Sequence, residues 1–126
     1  MAPEQPNRVF VTNFAGHDFG AAKSYGEIYW ITRGYVSFQS LDRVKFLITE
    51  QVLKSTKDDW LLLSGTPLIS VISVLMWYAL HKKVKLLVFD QKGGGKYREL
   101  IISEENVLDL LKVMPGSIPQ EAEADG

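Results

Sequence analysis

The feature that most constrains this chain is an uncharged stretch, Leu61 to Leu80, interrupted once by Ser64-Gly65-Thr66-Pro67. Trp60 and Trp77-Tyr78 lie near its ends and His81-Lys82-Lys83 follows, so length, aromatic ends and basic flank together mimic a membrane-spanning helix. The interruption decides against that. Leu68 to Leu80, at about 1.5 Å per residue, falls short of a hydrocarbon core roughly 30 Å thick. The run instead reads as a strand buried on both faces, Trp60 to Leu63, followed by a helix from Pro67 to Leu80. Thr66 can cap that helix, and proline at its first position loses no needed donor. Only Ser70 and Ser73 break its apolar surface. A helix apolar nearly all round is either covered on two sides or is an interface, so a homo-oligomer contact through Val71, Val74, Leu75 and Tyr78 is expected.

The rest of the chain alternates strands and helices. Arg8 to Phe14 (RVFVTNF) reads as a β-branched and aromatic strand, and Gly16 to Gly26 as a glycine-rich loop with a helical turn near Ala21-Ala22. Glu27 to Thr32 is a second strand, turned by Arg33-Gly34, with Tyr35 to Phe38 as a short extra one. Ser40 caps a helix from Leu41 to Lys54, in which Leu41, Val44, Leu47, Ile48 and Val52 recur at helical spacing. Val84 to Phe89 and Tyr97 to Ile102 are strands joined by Gln91 to Lys96, too close for a parallel crossover and so a hairpin. Ser103 caps a last helix, which Pro115-Gly116 ends. The order β-β-α-β-α-β-β-α predicts one α/β domain over residues 8–114, its central strands parallel, with an antiparallel edge hairpin and three helices. Residues 1–7 and the acidic tail 115–126 are expected to be disordered.

Composition narrows the function classes. The 126 residues leave room for one ordinary domain, and 46% hydrophobic with 23% charged is the balance of a soluble globular protein. Fourteen basic and fifteen acidic residues give a formal net charge of -1, hence no strong nucleic-acid signal. There is no cysteine, which excludes disulfides, thiolate nucleophiles and Cys-based metal sites. Residues 1–7 lack an apolar signal region, and a cytoplasmic location is the expectation. No metal set is legible, and the sequence specifies no cofactor.

Ligands of open α/β sheets bind beyond the carboxyl ends of the strands, close to helix N-termini. The residues just past the strands nominate a binding rim: Asn13, His17 and Asp18; Thr32 and Arg33; Ser64, Gly65 and Thr66; and Asp90. Ser64-Gly65-Thr66-Pro67 allows close approach of an anion such as phosphate to the helix start, though a tight strand-to-helix turn explains the same residues. His17 beside Asp18, with Asp90 as a second carboxylate, supplies candidate catalytic groups for a nucleotide hydrolase. Helix capping by Asp18 is the simpler use of that pair. His81 reads as a cation at a helix C-terminus. Lys92-Gly93-Gly94-Gly95-Lys96 is no phosphate loop, because Lys96 is followed by Tyr97 and a strand. Tyr25, Tyr29, Trp30, Tyr35 and Phe38 cluster around the second strand, where packing or base stacking would use them.

Three fragments carry a family likeness: Asn13-x-x-Gly16-His17-Asp18, Tyr25-Gly26, and Leu62-Leu63-Ser64-Gly65-x-Pro67. From about Val9 to Asn106 the chain resembles small Rossmann-like proteins of unassigned function encoded by bacteriophages and bacteria. The resemblance implies a Rossmann-like fold and a viral or bacterial origin, and no activity. From the residues themselves, the expected function is binding of a small anionic ligand, a nucleotide before others. A protein-interaction or inhibitor module assembling through residues 67–80 is the alternative, and nucleotide hydrolysis a further one.

Overall fold

The computed structural model describes residues 7–14, 19–37, 39 and 41–113. Along them run β1 (Arg8–Phe14), a 3-10 helix (Gly20–Tyr25), β2 (Glu27–Arg33), α1 (Leu41–Val52), β3 (Trp60–Leu62), α2 (Pro67–His81), β4 (Lys83–Asp90), β5 (Lys96–Ser103) and α3 (Glu104–Val113). The sequence patterns locate these elements to within two residues at nearly every boundary. One expectation fails. Tyr35 to Ser37 form no strand, because Gly34 takes a left-handed φ of 62° and its amide donates to Phe14 O at 2.7 Å, turning the chain off the end of β2. Phe38, the Ser40 cap, the Pro115-Gly116 stop and both predicted disordered ends, apart from Asn7, lie outside the described residues.

The five strands form one α/β sheet in the order β2-β1-β3-β4-β5, parallel except for the β4–β5 hairpin at one edge. From β1 the chain steps one way to β2, then returns past β1 to β3 and onward to β4. Right-handed crossovers in opposite directions must use opposite faces. The packing agrees: the 3-10 helix covers Val9, Val11, Trp60, Leu62 and Leu87, whereas α1 and α2 cover Phe10, Ile31, Leu61, Val84 and Leu86. With both faces covered, all three residues of β3 are buried, as an uncharged strand sequence requires.

Trp77 of α2 is the largest fully buried side chain, set edge-on to Phe10 at a centroid separation of 5.4 Å. Burial of such a ring contributes on the order of 3 kcal/mol, reduced here because its indole N–H finds no partner among the described residues. The start of β1 is held by Asp59, whose side chain is 2% exposed. Its Oδ1 accepts Arg8 N at 2.8 Å, and its Oδ2 accepts the Arg8 guanidinium at 2.9 Å and Thr56 N at 2.8 Å. No described helix is long and apolar enough to cross a membrane.

Candidate functional site

Between β1 and β3 the chain has left in both directions, so the carboxyl ends of these strands are not bridged by a connection. Such a switch point is where open α/β sheets hold ligands. The polar residues gathered there are first of all bonded to one another. Thr12 Oγ1 donates to Ser64 O at 2.6 Å and accepts from Ser64 N at 2.7 Å, tying the loop after β3 to β1. With that proton committed, Ser70 Oγ is the donor in its 3.3 Å contact with Thr12 Oγ1. Asn13 Nδ2 donates to Thr32 Oγ1 and to Gly34 O, each at 2.9 Å, and Thr32 Oγ1 donates to Thr12 O at 2.6 Å. Gly65 completes the arrangement. Its φ of 87° is left-handed, and a Cβ there would lie 2.6 Å from Asn13 Cβ.

Beside this network opens a crevice of about 310 Å³ lined by Asn13, Gly34, Tyr35, Val36, Gly65, Thr66 and Ile69. One end of it is the N-terminus of α2. Thr66 occupies the cap position, but its hydroxyl makes no cap hydrogen bond, contrary to the sequence expectation. Its carbonyl accepts the first helical bond, from Ser70 N at 3.4 Å. Pro67 has no N–H, so the amides of Leu68 and Ile69 are the first donors of the helix, and the Thr66 hydroxyl leaves both uncapped. The positive end of a fifteen-residue helix therefore faces a hollow whose floor is small and apolar.

The structure divides the remaining rim residues. Thr32 and Arg33 line a second groove of about 540 Å³ between β2 and α1, whose other walls include Trp30, Tyr35, Val36, Arg43, Leu47 and Gln51. The Arg33 guanidinium lies over the Trp30 ring, 4.9 Å from its centroid. The two hollows share Tyr35 and Val36 as a common wall. Ala15, Gly16, His17 and Asp18 lie outside the described residues. Asp90 closes the β4–β5 hairpin, its Oδ1 accepting Gly93 N at 2.8 Å and its Oδ2 pairing with Arg98 Nε at 2.6 Å. The Gly93 amide, then the Arg98 charge, hold its carboxyl below the ordinary value against a desolvation that opposes them. Among the described residues no three His, Asp or Glu side chains stand close enough to hold a metal ion.

His81 corrects an expectation. It lies in the last turn of α2 but packs edge-on against Trp77, and its Nε2 is 2.8 Å from Ser55 Oγ. Burial pushes its pKa down, with the Asp59 charge opposing, so the ring favours neutrality where a helix-end cation was expected. The aromatic cluster is mostly packing: Tyr29 stacks on Phe10, Trp30 on Phe14, and Tyr25 meets Trp60 edge-on. Tyr35 alone of the described members stands free, 95% exposed. Sequence reasoning missed Thr12, Gly34, Val36, Arg43 and Gln51. Arg43 carried a signal, since a cation in the first turn of α1 is at the end where cations are disfavoured.

A family model described as phage Pam3 gp32-like protein matches residues 4–103, more than three quarters of the chain. No curated protein and no solved structure matches it.

Proposed function

We propose that this chain, which belongs to the phage Pam3 gp32-like family, is a binding domain for a small anionic ligand of the nucleotide class. The membership supports a bacteriophage origin and carries no activity. The reading rests on one observation: the uncapped N-terminus of α2 opens onto a crevice at the β1/β3 switch point. A phosphate there meets the Leu68 and Ile69 amides and the helix's positive end, while the exposed Tyr35 ring offers a face for a base. The polar network beneath is already satisfied, so it holds the crevice's small apolar floor rigidly in place. Asn13 and Gly65 shape the crevice, and Thr66 is its contact residue.

A thermal-shift panel of mono-, di- and cyclic nucleotides tests this. A ligand at 100 times its dissociation constant adds about 2.7 kcal/mol, several degrees for a domain of this size. No shift from any phosphate-bearing compound would retire the reading.

A second reading rests on α2, where Leu68, Val71 and Leu75 form an exposed apolar stripe at helical spacing. It supports self-association through that face. A dimer by light scattering at micromolar concentration, dissolved by Val71→Lys, would favour it, and a monomer would remove it.

A further inference from the structure

We propose that the groove beside the free edge of β2 is a docking site for an extended peptide segment bearing an acidic group, which adds to the sheet as a sixth strand. This stands independently of the ligand reading above. Among the described residues β2 pairs with β1 alone, so its outer edge presents backbone groups that no described strand pairs. The groove is lined by four consecutive β2 residues, Trp30 to Arg33, and therefore runs along that edge. Its opposite wall is a single stripe of α1, Arg43, Leu47 and Gln51, each four residues from the next. Eight residues of helix span about 12 Å, the length of about four residues of extended chain. An edge strand facing a helix across a gap of that length is the geometry by which peptides are bound through β-strand addition.

Charge defines the occupant. α1 follows β2 by a short reversal, so Arg43 in its first turn lies at the Arg33 end of the groove. Neither arginine makes an ion pair among the described residues. Arg43 weakens its own helix end by position, and two guanidinium forks at one end of a groove suit a carboxylate. The middle of the groove is apolar, at Val44 and the partly exposed Leu47. Residues i and i+2 of a strand share a face, so the partner carries an acid and, two positions along, an aliphatic side chain. A nucleic acid fits less well: the chain is net -1 and only two arginines stand here.

Selection of random eight-residue peptides from a displayed library on the full chain tests this, followed by fluorescence polarisation with the enriched peptide. The expected result is an acid–any–aliphatic consensus, with slowed amide exchange over residues 29–33 when the peptide is bound. Arg33→Glu with Arg43→Glu should cut affinity at least tenfold and shift a repeated selection toward basic peptides. Arg43→Ala alone should give an intermediate loss, and both variants should melt as the parent does. The proposal is overturned by no enrichment, a consensus without the acid, protection only on α2, or an oligonucleotide or second copy of the chain occupying the groove instead.

Discussion

The two edges of the sheet are treated in opposite ways. At the β5 edge, α3 begins immediately after the strand and turns back along it. Asn106 of α3 accepts Ser103 N through Oδ1 at 3.0 Å and donates through Nδ2 to Ile101 O at 3.2 Å, while the Ser103 hydroxyl accepts Asn106 N at 3.2 Å. That reciprocal cap also occupies backbone groups of the edge. Among the described residues no element covers the β2 edge in this way, and a groove with two arginines that make no ion pair there lies along it. Exposed strand edges invite unwanted pairing, and proteins generally blunt them. α3 thus occupies backbone groups at the end of one edge, and strand addition at the other is what the proposal above tests.

The sharpest way to break the comparison is to release the tie at the sheet's centre. Asp59→Ala leaves the Arg8 amide without its acceptor and the Arg8 charge uncompensated. It should cost about 3 kcal/mol and lower the melting temperature by roughly 10 °C, with amide protection lost from β2 and β5 together. A protected β5 beside an unprotected β2 would mean the edges fold independently.

Asn106→Ala acts on one edge only. Loss of the cap should cost about 1 kcal/mol and uncover Ile101 and Ser103, so self-association should rise with concentration by light scattering. The Arg33→Glu, Arg43→Glu pair should change stability by only about 0.5 kcal/mol, because neither arginine makes an ion pair among the described residues and the loss is that of the Arg33 contact with the Trp30 ring. Equal costs at the two edges would remove the distinction drawn here.

The smallest effect is that of pH. His81 has a folded pKa below its ordinary 6.5, so the unfolded chain takes up the proton first. Stability is then full above that value and declines as pH falls through it toward the folded pKa. Melting temperatures measured between pH 7.5 and 5.5 should fall, and His81→Gln should flatten that portion of the profile.

The strands and helices were legible because their signals are local: β-branched runs, helical spacing in Leu41 to Val52, and Thr66-Pro67 ahead of an apolar helix. Strand order was not, since nothing in β1 announces that β3 rather than β4 will be its second neighbour. The site was legible in part for the same reason. Asn13 lies near the end of β1, Gly65 and Thr66 lie in the loop that leads from β3 to α2, and all three do line one crevice. Thr32 and Arg33 follow the same rule but face another hollow, because β2 is the outermost strand and its end opens outward. Tyr35 and Val36 came to the crevice through the left-handed turn at Gly34, where a strand had been expected. His81 misled because position on a helix predicts a cation, whereas packing against Trp77 in space takes from the ring part of the water that a cation needs.

The most direct measurement is the nucleotide-dependent thermal shift of Thr66→Asp. A carboxylate at this cap should bond the open amides of α2 and favour the helix's positive end, raising the ligand-free melting temperature by an amount worth about 1 kcal/mol. The same charge occupies the phosphate position, so the shift that nucleotides give the parent should vanish. A stabilised variant that no longer responds to nucleotide is the predicted result. A variant that keeps the full shift would place the anion elsewhere and contradict the account.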